Sequence, residues 1–200
     1  MNKKHFRAVT DAALAAGAAL ILSACAMPMT VGGGVGTSGD GDQNMADVMF
    51  VQMMIPHHEQ AVEMSELILA KDGVDPEVAA LAEQIKAAQG PEIELMRQWL
   101  DGWGIGTAED MGGMDHGGTG GMGGMDGMMS DEQMAQLESA SGADGSALFL
   151  ELMIEHHEGA VDMAEDVIDD GHSADVRALA EQIVTSQTAE IATMRDLLDR

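Results

Sequence analysis

The chain has 200 residues, 46% of them hydrophobic but only 2% aromatic, and a formal net charge of −26. That charge excludes nucleic acid as a natural partner and concentrates cations near the surface. The single cysteine, Cys25, excludes a disulfide framework, so any soft-metal chemistry in the body of the chain must use the sulfur of its 19 methionines.

Residues 1–24 read as an export signal. Lys3, Lys4 and Arg7 form a basic start, and Ala12 to Leu22 form an apolar core too short to span a membrane stably. Leu22-Ser23-Ala24-Cys25 then resembles the lipobox of bacterial lipoproteins, which implies cleavage before Cys25, lipid on that cysteine and anchoring to a membrane without a spanning helix. Loss of Lys3, Lys4, Arg7 and Asp11 leaves the mature chain more acidic still. Residues 25–43, rich in Gly, Ser and Thr and without period, suit a flexible tether.

From about Asn44 to Lys71 the apolar residues recur at helical spacing. Phe50, Met53, Met54, Ala61, Met64 and Ile68 fall within about 60° of His57 on a helical wheel, His58 lies about 100° from it, and Glu59, Glu63 and Glu66 form an acidic back. Asp72-Gly73 stops this helix, and Asp75-Pro76-Glu77 starts a second with an N-cap and proline at the first position. The second runs to about Asp101, and its inward stripe is Leu81, Ile85, Gln89, Glu92, Met96 and Trp99. A kink is expected at Gly90-Pro91, because proline removes one helix bond.

Residues 102–143 join the two halves. Met111 to Met129 hold six methionines and nine glycines, a composition that cannot bury enough surface to fold alone. Met111, Met114, Met122, Met125, Met128 and Met129, with His116, could form a loose thioether array for soft ions, or the segment could be only a spacer. Ser130-Asp131-Glu132-Gln133 resembles a capping box for a short helix to about Ser139, closed by Ser141-Gly142.

Residues 144–200 then repeat residues 44–101. Met53-Met54-Ile55-Pro56-His57-His58-Glu59 returns as Leu152-Met153-Ile154-Glu155-His156-His157-Glu158, and Leu81-Ala82-Glu83-Gln84-Ile85 as Leu179-Ala180-Glu181-Gln182-Ile183. Gln89, Glu92, Ile93 and Met96 likewise match Gln187, Glu190, Ile191 and Met194. The third helix is expected over about Gly145 to Asp170 and the fourth over about Ala174 to Asp199. Two αα-hairpins that must hide their apolar stripes predict an all-α four-helix bundle over 44–200, with a long Met/Gly-rich crossover and no strands.

Within each antiparallel hairpin, His57 should lie level with Gln89, Met54 with Glu92 and Phe50 with Met96. In the second half the same holds for His156 with Gln187, Met153 with Glu190 and Phe149 with Met194. Met54 and Met153 stand three and four residues before the two histidines of their own half, on one helical face. Thioether with imidazole is a soft donor set that favours Cu(I), and by extension Ag(I), over Mg or Ca. Methionine on a buried face also serves plain core packing, and inward histidines also occur as hydrogen-bonded core. Glu92 and Glu190 fall on the apolar stripe, where a carboxylate is costly unless paired or coordinated, and either role is open to them.

The paired His-His motifs followed by Ala-Val-x-Met, the Gln-x-x-Glu-Ile-x-x-Met signature and the Met/Gly-rich joiner resemble the bacterial domain of unknown function 305 family, over about Asn44 to Leu198. The resemblance implies a ferritin-like bundle in the cell envelope, copper binding or resistance in some members, and no established enzyme activity. It points to His57, His58, Met54 and Met64, and to His156, His157, Met153 and Met163, as metal residues. Leu152 replaces Met53 and Gly159 replaces Gln60, so the halves need not bind equally.

Three readings follow. The first is an envelope-anchored binding protein for soft metal, most of all Cu(I), that sequesters the ion or exchanges it with a donor or acceptor protein. The second is a ferritin-like metal-dependent oxidoreductase. Di-iron proteins carry Glu-x-x-His, and here the residues three before His57 and His156 are Met54 and Met153, which disfavours iron. His-His-Glu also resembles hemerythrin-type sequences, but Glu59 and Glu158 point about 200° from the first histidine of each pair. The third is a structural or signalling lipoprotein whose histidines merely pack.

Overall fold

The computed structural model describes residues 43–107 and 127–200. Among these residues there are helices and no strands. They are α1 (Met45–Leu69), α2 (Pro76–Trp103), α3 (Asp131–Ser139), α4 (Gly142–Asp170) and α5 (Ala174–Leu198). No described helix is long and apolar enough to cross a membrane. The expected signal, Cys25 and the tether, and Met111, Met114, His116, Met122 and Met125 of the joiner, lie outside the described residues.

Local chemistry sets the helix ends. Asn44 and Asp47 form a capping box at the start of α1, Ser130 and Gln133 form another at α3, and Asp75 with Pro76 opens α2. Gly104, at φ +70, closes α2 in the left-handed conformation that glycine adopts without strain. The expected kink at Gly90-Pro91 does not interrupt α2, and α1 likewise continues through Pro56. The third long helix starts three residues earlier than periodicity predicts, because Gly142 turns the chain at φ +52 and α4 follows α3 almost directly.

Each hairpin packs within itself, α1 on α2 and α4 on α5, and the two hairpins meet through α1 and α4. These central helices run antiparallel. His57 meets His156, Gly145 lies against Ile68, and Phe50 and Met163 line one cleft with Ala46 and Val167. Each step forward along α1 is matched by an equal step back along α4, as an internal two-fold would require. Burial leaves two apolar clusters. One gathers Met64, Ile68, Leu81, Ile85, Phe149, Met153 and Met194, and the other Phe50, Met54, Ile93, Met96, Val167, Leu179 and Ile183. Between them along α1 and α4 lie the histidines.

A second pair of symmetric devices ties the hairpins together. The fully buried carboxylate of Asp47 accepts backbone N–H bonds from His172 and Ser173 in the α4–α5 turn, at 3.0 and 3.1 Å. At the matching position in the repeat, Ser146 Oγ accepts the N–H of Asp75 in the α1–α2 turn at 3.0 Å. Buried polar side chains thus satisfy turn amides that helix geometry leaves open.

The returning joiner breaks the symmetry. Gln60 holds the backbone of Met129 through both its N–H, at 2.7 Å, and its carbonyl, at 2.9 Å, while Gly127 presses on the α4 backbone at Glu155, His156 and Gly159. Gln60 and Gly159 therefore differ because one grips this segment and the other makes room for it. Met129, expected among the joiner's candidate ligands, is a buried core residue, and Met128 beside it is half-buried.

Candidate metal centre

The site is built from the middle turns of α1 and α4. His57, His58, His156 and His157 are at most 1% exposed, although histidine is seldom so fully enclosed. The rings of His57 and His156 meet across the two halves at a centroid distance of 3.8 Å and an interplanar angle of 42°, and those of His156 and His157 lie 6.3 Å apart. Met54 and Met153, one turn before these histidines, are fully buried.

The second histidine of each pair is held by a carboxylate. His58 Nε2 lies 2.8 Å from Glu92 Oε2, and His157 Nε2 lies 2.7 Å from Glu190 Oε2. The level pairing placed Met54 and Met153 opposite these glutamates, so the observed contacts fall one turn away from expectation. The reason is side-chain direction. Helical side chains lean toward their own N-terminus, so in an antiparallel pair His58 leans away from the α1–α2 turn while Glu92 leans toward it. The same offset recurs at His157 and Glu190. With the carboxylate accepting, Nε2 carries the proton and Nδ1 keeps its lone pair. In both histidines that Nδ1 is buried without a hydrogen bond.

His156 has neither ring nitrogen in a formed hydrogen bond. Burial holds its pKa well below the ordinary histidine range, and the neighbouring His57, His157 and His58 push the same way; the nearby His57 backbone opposes them weakly. The ring is therefore neutral at pH 7 and its lone pair is free for a ligand. Gln89 and Gln187 are also buried and leave side-chain atoms unmatched, both polar atoms of Gln89 and Oε1 of Gln187. Orphaned donors and acceptors in a closed layer cost about 1–3 kcal/mol each, which a bound ion could offset.

Among the described residues no three His, Cys, Asp or Glu side chains are disposed as a ready cage for a metal. Met54 and Met153 stand one helical turn from the histidines, and thioether with imidazole is a donor set that suits soft ions of low coordination number rather than hard ones. Met64 and Met163 follow their histidines by two helical turns, about 10 Å along the axis. Met64 joins the cluster around Phe149, and Met163 turns to the outer cleft beside Phe50. Met96 and Met194 are fully buried core residues near Phe50 and Phe149 respectively. Glu59 and Glu158, on the far side as the wheel requires, pair with Arg97 and Arg195.

A model of the family described as Domain of unknown function (DUF305) matches residues 47–198. The chain belongs to the DUF305 family. A DUF305 protein from Streptomyces coelicolor, described as secreted, is 36% identical, with a TM-score of 0.67 over 77% of this chain and 92% of its own. A DUF305 fragment from Deinococcus radiodurans is 31% identical, with a TM-score of 0.68 over 80% and 99% of the two chains. CopM in a Cu(II)-bound form is 32% identical, with a TM-score of 0.63 over 76% and 95%. CopM has also been solved bound to Cu(I) and to Ag, at 28% identity and TM-scores of 0.60 and 0.59. No curated protein matches the chain.

Proposed function

We infer that this DUF305 chain is a binding protein for soft metal ions, Cu(I) above all and Ag(I) by the same chemistry, and that its cargo sits in the histidine layer between α1 and α4. The observation that carries the reading is His156. It is a buried, neutral imidazole whose ring nitrogens make no well-formed hydrogen bond, in ring contact with His57 and one helical turn from the enclosed side chain of Met153. His58 and His157, fixed by their glutamates, would add Nδ1 donors, and Met54 and Met153 neutral sulfur. The likeness to CopM, solved with copper and with silver, supports the same cargo.

The chain is a binder and not an enzyme on this reading, since Met54 and Met153 stand where a di-iron oxidase needs glutamates. Its place is the outer face of a membrane, held by lipid on Cys25, where it sequesters copper or passes it to a partner protein. The lipobox-like Leu22-Ser23-Ala24-Cys25 supports the anchor.

The test is competitive Cu(I) titration of the chain from Ala26 onward against a chromophoric chelator. It is run beside the variant with all four paired histidines changed to alanine, and beside Met54→Leu/Met153→Leu, which keeps core volume. Helix content by circular dichroism verifies the fold of each. Loss of tight binding in both variants is the expected result. Binding that survives intact in the folded histidine variant would refute the site.

A further inference from the structure

The antiparallel crossing of α1 and α4 creates two equivalent grooves, one on each side of the histidine layer, and the chain treats them in opposite ways. The groove at the C-terminal end of α1 is aliphatic. Leu148, Leu152, Met64 and Leu67 belong to a core cluster there, under Leu137 of α3 and Met129. Lys71 closes its end by donating to the Glu138 carbonyl at 2.6 Å.

The groove at the N-terminal end of α1 has a different lining at each matching position. Met49 and Met53 stand where the repeat has Leu148 and Leu152, Asp166 stands in place of Leu67, and Asp170 in place of Lys71. Met163, the counterpart of Met64, completes the thioether set. These five residues line one open cleft of about 190 Å³ with Phe50. Met49 is 52% exposed, and Met45, one turn before it, is 72% exposed.

Leucine would fill such a groove as well as methionine, as the repeat demonstrates, and without a polarisable sulfur. Two carboxylates at the edge count against an apolar protein partner, which would have to desolvate them. Three methionines lining an open cleft beside two carboxylates suit a soft monovalent cation: sulfur supplies the donors, and the carboxylates supply attraction without having to coordinate. We propose that Met49, Met53 and Met163, with Asp166 and Asp170, form a second, surface site for a soft monovalent cation. It is separate from the histidine layer and one to two helical turns from it.

The experiment is a titration of the full mature chain, labelled at the methionine methyl groups, with Ag(I), followed by NMR. Silver avoids the oxidation that copper undergoes in air. The methyl groups of Met49, Met53 and Met163 are expected to shift together, whatever happens at Met54 and Met153 in the core. Shifts at Met54 and Met153 alone would overturn this site and leave the histidine reading standing; shifts at the groove alone would do the reverse. Met49→Leu/Met53→Leu/Met163→Leu should bind about one silver ion fewer per chain. Asp166→Asn/Asp170→Asn should weaken groove binding about three-fold, the scale of surface electrostatics. Loss of the ion in the aspartate variant but not in the leucine variant would also overturn the proposal, because the ligands would then be carboxylates.

Discussion

Replacing Glu92 by alanine should cost far more than its single hydrogen bond suggests. His58 is fully enclosed, the Glu92 side chain is only 11% exposed, and the bond between them is 2.8 Å long. Without the carboxylate, the Nε2 proton of His58 loses its hydrogen-bond partner in an enclosed position. An unmet buried polar group costs about 1–3 kcal/mol, and a bond to a charged group contributes about 1.5–3 kcal/mol, so a loss of about 2–3 kcal/mol is expected. Glu92→Gln keeps an oxygen that can accept from Nε2 and should cost less than about 1 kcal/mol. The control is Arg97→Ala. It removes pairs with Glu59 and Glu94 from a side chain 44% exposed, where ion pairs contribute little, and should stay within about 0.5 kcal/mol. Urea unfolding followed by circular dichroism gives all three values. Cu(I) retention by Glu92→Gln should fall about 10-fold, the lower end of what loss of a ligand-orienting carboxylate does. If Glu92→Ala proves as mild as Arg97→Ala, the layer is wetter than the structure shows and the argument for orphaned donors fails.

Stability of the metal-free chain should fall as pH drops below about 6.5, the ordinary histidine value. His156 in the folded state resists protonation, so the unfolded chain binds the extra proton; the contribution is fully present above that pH and is lost as pH falls toward the depressed folded value. Urea midpoints between pH 7.5 and pH 5 test it, and flat midpoints would contradict a neutral buried ring. Met54→Ala should cost about 2–5 kcal/mol through the cavity it leaves. Met54→Leu should cost under about 1.5 kcal/mol and still impair copper binding, which separates packing from coordination in one pair of measurements. Gly127→Ala places a methyl group 2.8–2.9 Å from the α4 backbone at a residue with φ +83. It should cost more than about 2 kcal/mol and speed amide exchange at Met129 as the grip of Gln60 is lost; an unchanged exchange rate would refute the seating of that segment.

Much of this architecture is legible in the sequence because the repeat states it twice. The helix starts at Asp75 and Ser130 are written in short-range capping chemistry, and the two-hairpin plan follows from amphipathic stripes that recur 98 to 99 residues apart. The inward placement of His57, His156, Glu92 and Glu190 follows from the wheel alone. Three features do not. The partner of Glu92 depends on the lean of side chains between antiparallel helices, which residue heights ignore. The clasp of Asp47 on the α4–α5 turn joins residues 125 and 126 positions apart, and nothing local to Asp47 distinguishes it from an ordinary capping residue. The exchange of Gln60 for Gly159 has a steric cause, the passage of residues 127–129, visible only once the joiner is seen to return across α1 and α4. The contrast between the two grooves is readable from the aligned repeats, where Met49, Met53, Asp166 and Asp170 replace Leu148, Leu152, Leu67 and Lys71.

The meeting of His57 with His156 puts the centre of the molecule on a seam. Neither hairpin owns the layer, since each brings one histidine pair, one carboxylate and one buried thioether. An ion captured there, as proposed, would be a cross-brace between segments 99 residues apart. On the proposed reading, binding that needs both halves would stabilise their docking. A chain loaded with metal would then resist opening more than one without it.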